Sequence, residues 1–158
     1  DGKSVKAGMK IYAFTSSGFH SNGLSLVRAL LKDNEQELKR KVLTPTKLYV
    51  KDVLSLLEKV KIHGMAHITG GGLNNIKRIN SDFGYEVTNL PTMPEFMDSV
   101  ISRANLSLEE MYQTFNMGVG FTLVVSEDIE LEQYHPDLIQ IGTVSSKFQG
   151  VKVLNTPI

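Results

Sequence analysis

The sequence contains no cysteine among its 158 residues. The chain can therefore form no disulfide, no thiolate nucleophile and no cysteine-ligated zinc site. It also has no excess charge of either sign, since 17 Lys and Arg balance 17 Asp and Glu. General nucleic-acid-binding proteins carry a basic excess, so we expect no nucleic-acid partner. A cytoplasmic location fits this composition.

Long apolar runs and a leader segment are missing as well. No run approaches the roughly 20 apolar residues of a membrane-spanning helix, so we expect no membrane partner. Residues 1–4 include neither a starting methionine nor the apolar stretch of a signal peptide. We expect the chain to be a processed product or a fragment of a longer protein.

The residues that are present predict one folded domain, residues 1–158. Hydrophobic residues make up 41% of the chain and charged residues 22%, which is ordinary for a packed protein. Patterns typical of strands and helices alternate along the chain. We predict an α+β (mixed α/β) fold, with a mixed, mostly antiparallel sheet of about five or six strands packed with helices.

The predicted elements follow from hydrophobic spacing and from Gly and Pro breaks. The last two predicted strands form an antiparallel edge of the sheet, and Ser107 with Glu110 is a capping-box pattern at the start of a helix. The predicted strands cover residues 9–15, 62–68, 83–88, 118–125, 138–144 and 151–154. The predicted helices cover residues 24–31, 49–60, 73–79, 95–101 and 107–113.

The first candidate site is the segment Thr69-Gly70-Gly71-Gly72, between a predicted strand and a predicted helix. Three consecutive glycines cost chain entropy that a simple turn does not require. Glycine admits close approach of a ligand, and free amides at a helix start bind anions, so we interpret the segment as a phosphate site. A tight turn beneath a packed helix is the alternative.

His67 stands just before this segment. A lone histidine in an apolar strand is usually a core residue, but beside a phosphate site it can donate a hydrogen bond or act as an acid–base group. His63, four residues earlier, would lie on the same face of a strand, which is compatible with a shared site. Four histidines without a short repeated spacing disfavour a zinc site.

The second candidate site is the polar loop of His20, Ser21, Asn22 and Gly23. It precedes a predicted helix, so its groups can bind an anion, but Ser21 or Asn22 could instead only cap that helix. No carboxylate lies near His20 in sequence, so no Ser-His-Asp triad is predicted. A third segment, 115–120, has two glycines where a predicted strand begins. We interpret these glycines as serving structural packing.

Nucleotide-binding motifs are missing. The sequence has neither a Gly-x-x-x-x-Gly-Lys-Ser/Thr loop nor a Gly-x-Gly-x-x-Gly segment after a strand. It also has no acidic cluster suited to magnesium. If ATP is used, its metal ligands are expected outside this chain.

Four blocks of the sequence resemble, in the same order, the aminoimidazole ribonucleotide synthetase family, also called phosphoribosylformylglycinamidine cyclo-ligases. The most specific block is His-Gly-Met-Ala-His-Ile-Thr-Gly-Gly-Gly at 63–72. The others lie at 17–28, 44–51 and 111–120, so the resemblance covers nearly the whole chain.

The resemblance implies a mixed sheet and helix domain that forms the carboxy-terminal, substrate-side half of the enzyme. Family members use ATP and Mg²⁺ to phosphorylate the amide oxygen of formylglycinamidine ribonucleotide, after which nitrogen attack expels phosphate and closes the imidazole ring. They are homodimers with active sites in clefts between domains. The ATP-binding amino-terminal half is expected to be missing here, so we predict that the isolated chain is inactive.

Carried onto this sequence, the resemblance implies catalytic roles for His67 and Asn22. It also implies substrate or phosphate contacts by seven further residues, and no metal ligand in this chain. These seven residues are His20, Ser21, Gly23, Thr69, Gly70, Gly71 and Gly72.

The sequence departs from the family pattern at two places. Residues 73–78 lack the acidic residue and proline that usually follow the glycines, and a tryptophan often found near Pro94 is missing. Two other hypotheses stay open. One is another ATP-dependent enzyme of the same superfamily, of the formylglycinamidine ribonucleotide synthetase, selenophosphate synthetase or thiamine-phosphate kinase type. The other is a non-catalytic phosphate-ligand binding module.

Overall fold

The structure is a computed structural model that describes residues 2–154. Within them the strands are β1 Lys10–Thr15, β2 Gly64–His67, β3 Gly84–Val87, β4 Val119–Val125, β5 Leu138–Ser145 and β6 Gly150–Val153. The α-helices are α1 Leu24–Leu30, α2 Gln36–Val42, α3 Val50–Leu57, α4 Glu95–Ile101 and α5 Leu108–Thr114. Two 3-10 helices cover Gly72–Arg78 and Leu131–Gln133. In this part of the chain no helix has the length and apolar character to cross a bilayer.

The strands form one six-stranded sheet in the order β2-β4-β1-β5-β3-β6. Every neighbouring pair is antiparallel except β3 and β6, which are parallel. The predicted mixed, mostly antiparallel sheet with helices is therefore confirmed. Because β4 lies between β1 and β2, the ends of β1 and β2 meet the start of β4 at one end of the sheet.

Both faces of the sheet are covered, and the central strand β1 has a buried side chain on each. Side chains alternate between the two faces along a strand. Ile11 belongs to the same apolar cluster as Ile76 of the first 3-10 helix. The next residue, Tyr12, belongs to a second cluster with Leu56 of α3. All of these side chains are almost completely buried, so the sheet is fixed from both sides.

The predicted antiparallel edge formed by the last two strands is wrong. β5 and β6 do not pair, because β3 lies between them. Tyr85 and Val87 of β3 are fully buried, which favours a place inside the sheet. The side chains of β6 are half-buried or exposed, so this strand takes the edge position, parallel to β3.

The helix predicted at 73–79 is a 3-10 helix, Gly72–Arg78, rather than an α-helix. A local cause is Asn75, whose side-chain amide donates to main-chain oxygens of the preceding glycine segment. Asparagine often forms such bonds in competition with regular helix. Helix α2, Gln36–Val42, is not among the helices predicted from the sequence.

The predicted capping box at the start of α5 is present and gives a test of local stability. Ser107 Oγ accepts the Glu110 N–H at 3.3 Å, and the Glu110 carboxylate accepts the Ser107 N–H at 2.8 Å. We expect Ser107→Ala to lower the free energy of unfolding by about 1 kcal/mol, because the Glu110 N–H loses its side-chain acceptor. Urea unfolding of the purified chain measures this change.

Ser55→Ala is the matched control, since Ser55 is exposed inside α3. Alanine is the better helix former, so this variant should be as stable as the original chain or slightly more stable. Equal losses for the two variants would show that the capping box contributes nothing.

Candidate active site at one end of the sheet

Three loops meet where β1 and β2 end and β4 begins. Residues 16–23 follow β1, residues 68–72 follow β2, and residues 115–118 lead into β4. β4 pairs antiparallel with both other strands, so its start lies beside their ends. The sheet thus brings together all three segments singled out in the sequence, although they are far apart along the chain.

The buried carboxamide of Asn116 joins the first and third loops. Its Nδ2 donates to the main-chain oxygens of Gly18 at 2.8 Å and Phe19 at 3.2 Å. Its Oδ1 accepts the Gly118 N–H at 3.0 Å and the Ser16 hydroxyl at 3.3 Å. These four bonds use both hydrogens and both lone pairs of the carboxamide. The packing role predicted for this segment agrees with these contacts.

Asn22, one of the two predicted catalytic residues, joins the first and second loops. It is fully buried, and its Nδ2 donates to the main-chain oxygens of Phe19 at 3.2 Å and Ile68 at 3.4 Å. Within residues 2–154 its Oδ1 has no hydrogen-bond partner. Ser21 is exposed. The N-cap of α1 is Gly23 without a side-chain cap, so the alternative that Ser21 or Asn22 caps this helix is wrong.

His20 is buried within the first loop and has a left-handed backbone, with φ 52°. Its Nε2 accepts the N–H of Ser17 at 3.1 Å and that of Lys47 at 3.5 Å. The neutral ring therefore carries its proton on Nδ1, which no described group accepts. Burial, with a contribution from nearby His67, lowers the pKa of His20 from 6.5 to about 4.

His67 lies exposed at the end of the edge strand β2. The centroid of its ring is 6.0 Å from that of Tyr49 and 5.9 Å from that of Phe121. The Tyr49 ring is also 6.3 Å from the His20 ring, so one tyrosine contacts both imidazoles. The Tyr49 hydroxyl donates to the Thr15 oxygen at 2.9 Å, which holds the ring in place.

His67 also lines an open hollow of about 410 Å³ between β2 and α3. The walls are almost wholly apolar and include Leu54, Leu57 and Met65, all of which are exposed. None of the residues 16–23 and 68–72 lines this hollow. The hollow therefore lies beside the loops at 16–23 and 68–72, and His67 lies between the hollow and these loops.

The triglycine segment, Thr69-Gly70-Gly71-Gly72, presents free main-chain amides. In the described chain, the N–H groups of Thr69, Gly70 and Gly71 have no hydrogen-bond acceptor, whereas the Gly72 N–H donates to the Thr69 oxygen at 3.1 Å. Gly70 is exposed, and a Cβ there would meet no atom within 4 Å. The following 3-10 helix is only seven residues long. Anion binding here would therefore depend on the amides themselves more than on a helix dipole.

The remaining glycines have a different role. Gly71 and Gly72 have left-handed φ angles of 103° and 57°, which glycine adopts without strain. A Cβ at Gly72 would be 2.2 Å from the Tyr112 oxygen and 2.6 Å from the Phe115 oxygen at the end of α5. Both sequence interpretations are therefore compatible with the segment: Gly72 forms a tight turn against a helix, and the amides before it are free.

His63 lies outside this site. It precedes β2 and is buried, with Nδ1 2.9 Å from the Ser4 Oγ and Nε2 3.0 Å from the Ser126 Oγ. The shared site with His67 that the spacing allowed does not form. The ring of His63 instead links the first described residues to the end of β4.

Two residues of this site carried no functional signal in the sequence. Tyr49 belongs to an apolar stripe predicted to be helical, but α3 begins at Val50 and the tyrosine ring turns toward the imidazoles. Asn75 is 1% exposed and lies within a predicted helix. The sequence gives only a structural indication here, the poor helix propensity of asparagine so soon after the glycines.

Metal-binding groups do not gather in residues 2–154. No three His, Asp or Glu side chains of this range are placed to hold an ion. The donors that Mg²⁺ prefers, several carboxylate oxygens around one point, are therefore not assembled by the described residues.

Comparison with known proteins places these features in a family. Residues 6–153 match the family described as AIR synthase related protein, C-terminal domain. The phosphoribosylformylglycinamidine cyclo-ligase of Clostridium perfringens is 42% identical over 167 residues, covering 96% of this chain and 50% of the relative. The Pyrococcus furiosus protein of that name is 40% identical, covering 98% and 49%. The chain thus spans about half the length of the curated relatives it matches.

Solved structures share the fold at low identity. The hydrogenase maturation protein HypE of E. coli has a TM-score of 0.67 and 17% identity, over 97% of this chain and 48% of that one. Thiamine monophosphate kinase of Aquifex aeolicus has a TM-score of 0.64 and 18% identity, over 97% and 51%. AaThiL complexed with AMPPCP and TMP has a TM-score of 0.60 and 18% identity, over 96% and 49%. These likenesses show a common fold alone.

The buried imidazole of His20 predicts a pH dependence of stability. Its pKa is about 4 in the folded chain and about 6.5 when unfolded, so the unfolded chain binds the proton more strongly. Its contribution to stability is complete above pH 6.5 and is lost as the pH falls toward 4. We expect NMR titration of the ring to give a midpoint near 4.

Urea unfolding at several pH values provides the second measurement. Between pH 6.5 and 4, the free energy of unfolding should fall less steeply for His20→Gln than for the original chain. His135→Gln, at a partly exposed position on the surface, is the control. A titration midpoint near 6.5 would show that the ring is not desolvated.

Proposed function

The chain belongs to the AIR synthase related protein, C-terminal domain family, and on that basis we propose that it forms the substrate-side half of a phosphoribosylformylglycinamidine cyclo-ligase. The complete enzyme would convert formylglycinamidine ribonucleotide into aminoimidazole ribonucleotide with consumption of ATP, a step of purine biosynthesis. Relatives with this name are 40–42% identical over almost the whole chain. The kinase and maturation-protein structures are only 17–18% identical, which favours a cyclo-ligase.

The observation that carries this proposal is a row of three free amides beside an exposed imidazole. The amides belong to residues 69–71, and the imidazole is that of His67. Preorganised amides bind anionic oxygens, and an imidazole can transfer a proton near neutral pH. The proposed substrate carries a phosphate, and its ring closure expels a second one. The amides can therefore bind phosphate oxygens, and the imidazole can transfer a proton when phosphate leaves.

We assign His67 as the catalytic group of this half. Its ring can donate a proton to the oxygen that departs with phosphate, or stabilise the charge there. The rings of Tyr49 and Phe121 lie close to it and restrict its orientation. The amides of Thr69, Gly70 and Gly71 would bind the phosphate oxygens.

The other predicted site residues support this centre in different ways. Ser21 is exposed and available for substrate contact. His20 and Asn22 are buried and shape the first loop through their hydrogen bonds to Ser17 and Phe19. A catalytic role for Asn22, and direct substrate contacts by His20, Gly23 and Gly72, stay predictions.

ATP would be used together with Mg²⁺, and the described residues of this chain offer no cluster of side chains to hold the Mg²⁺. We assign both to an amino-terminal half, for which the doubled length of the relatives leaves room. The AaThiL structure complexed with AMPPCP supports nucleotide use within this fold. Assembly as a homodimer and a cytoplasmic location belong to the same proposal.

Kinetics of His67 variants test the assignment. The protein is expressed with an amino-terminal cyclo-ligase half, and formation of aminoimidazole ribonucleotide from the purified substrate and ATP is followed. We expect His67→Asn to lower kcat by about 100- to 10,000-fold, since a general acid is lost. His135→Asn, at the side chain that faces Asp52 on the surface, should leave kcat unchanged.

The assembled protein must first show ATP-dependent cyclisation, and its absence would refute the cyclo-ligase assignment. Full activity of His67→Asn would refute only the role of the imidazole. We also expect no turnover by the 158-residue chain alone.

A further inference from the structure

The triglycine segment is held from behind by one side chain, that of Asn75. This side chain is 1% exposed, and its Nδ2 lies 3.1 Å from the Thr69 oxygen, 3.3 Å from the Gly70 oxygen and 2.7 Å from the Gly72 oxygen. Since Nδ2 carries two hydrogens, at least one hydrogen is shared between two oxygens. The Thr69 hydroxyl donates to Oδ1 at 3.3 Å, which fixes the orientation of the carboxamide.

These contacts determine where the neighbouring amides point. In a trans peptide unit the C=O of one residue and the N–H of the next point in opposite directions, and the described chain has no cis peptide bond. The oxygens of Thr69 and Gly70 point to Asn75, so the N–H groups of Gly70 and Gly71 point away from it. These are two of the three amides without an acceptor.

Asn22 holds the preceding peptide unit in the same way. Its Nδ2 donates to the Ile68 oxygen at 3.4 Å, so the Thr69 N–H points away from the Asn22 side chain. Two buried asparagines from different parts of the chain thus bind three consecutive carbonyls. The free amides of residues 69–71 result from this arrangement.

We propose that Asn75 is a positioning residue that turns the amides of Gly70 and Gly71 toward an oxyanion of the phosphate type. The nature of the ligand rests on the proposed function, and the assignment of Asn75 rests on the hydrogen bonds around it. Glycine has the widest conformational freedom of any residue, so without Asn75 these peptide units can rotate. A carbonyl oxygen facing the anion would then repel it.

Binding of inorganic phosphate to the isolated ¹⁵N-labelled chain tests the proposal by NMR. We expect saturable shifts of the Gly70 and Gly71 amide signals. Asn75→Asp has nearly the same shape but cannot donate to the carbonyls. Once the carbonyls are released, the Gly70 and Gly71 amides turn away and the phosphate loses a hydrogen bond from them. We expect phosphate binding to weaken about tenfold to a hundredfold, the usual effect of losing a hydrogen bond to a charged group.

Asn74→Asp is the matched control. It introduces the same charge one residue earlier, at a half-buried side chain for which the structure gives no hydrogen bond to the loop. Its phosphate affinity should stay within about threefold of the original, since a more exposed charge is screened. Asn75→Gln keeps the donor group and should recover part of the lost affinity, which a purely structural defect would not do.

Steady-state kinetics of the assembled enzyme give an independent result. Asn75→Asp should raise KM for the phosphorylated substrate more than it lowers kcat, because His67 is left in place. Equal phosphate affinities of Asn75→Asp and Asn74→Asp would overturn the proposal, as would unshifted Gly70 and Gly71 signals in the original chain.

The two proposals can fail separately. Phosphate binding that depends on Asn75, in a protein that forms no aminoimidazole ribonucleotide, would support Asn75 and refute the cyclo-ligase assignment. If aminoimidazole ribonucleotide forms but Asn75→Asp and Asn74→Asp bind phosphate equally well, the cyclo-ligase assignment is supported and the role of Asn75 is refuted.

Discussion

Buried side-chain amides hold the functional end of this domain together. A loop has main-chain oxygens and N–H groups that need partners when water is excluded, and a buried polar group without one costs free energy. Asn22, Asn75 and Asn116 provide partners for main-chain oxygens in the loops after β1 and β2. The sheet brings these loops near one another, but the carboxamides fix the direction of the peptide units whose oxygens they bind.

This constraint explains why the site has a polar and an apolar side. The polar side is built from main-chain amides whose opposite oxygens are already bound. The apolar side is the hollow below α3, where Tyr49 and Phe121 flank the imidazole of His67. A ligand that contacts both sides would place a charged group on the amides and a less polar part against the rings.

Local patterns were enough to predict most elements of the fold. The helix predicted at 95–101 has the bounds of α4, and β4 begins one residue after its predicted start. The strand order was not predictable in the same way. By sequence pattern alone, either β3 or β6 could pair with β5. Which strand takes this inner position depends on how completely Tyr85 and Val87 are buried by the rest of the molecule. The candidate site shows the same division: glycines beside a histidine are visible in the sequence, but the role of Asn75 depends on the direction of three carbonyl groups.

The three adjacent glycines meet three different requirements. Gly72 leaves no room for a Cβ against α5, and Gly71 has a backbone that other residues adopt only with strain. Gly70 has neither restriction, because the space around it is empty and its φ angle is not positive. During evolutionary drift, folding alone would preserve the third glycine and tolerate replacement of the first. Glycine kept at position 70 in a lineage would therefore indicate that another molecule approaches this position from outside the chain.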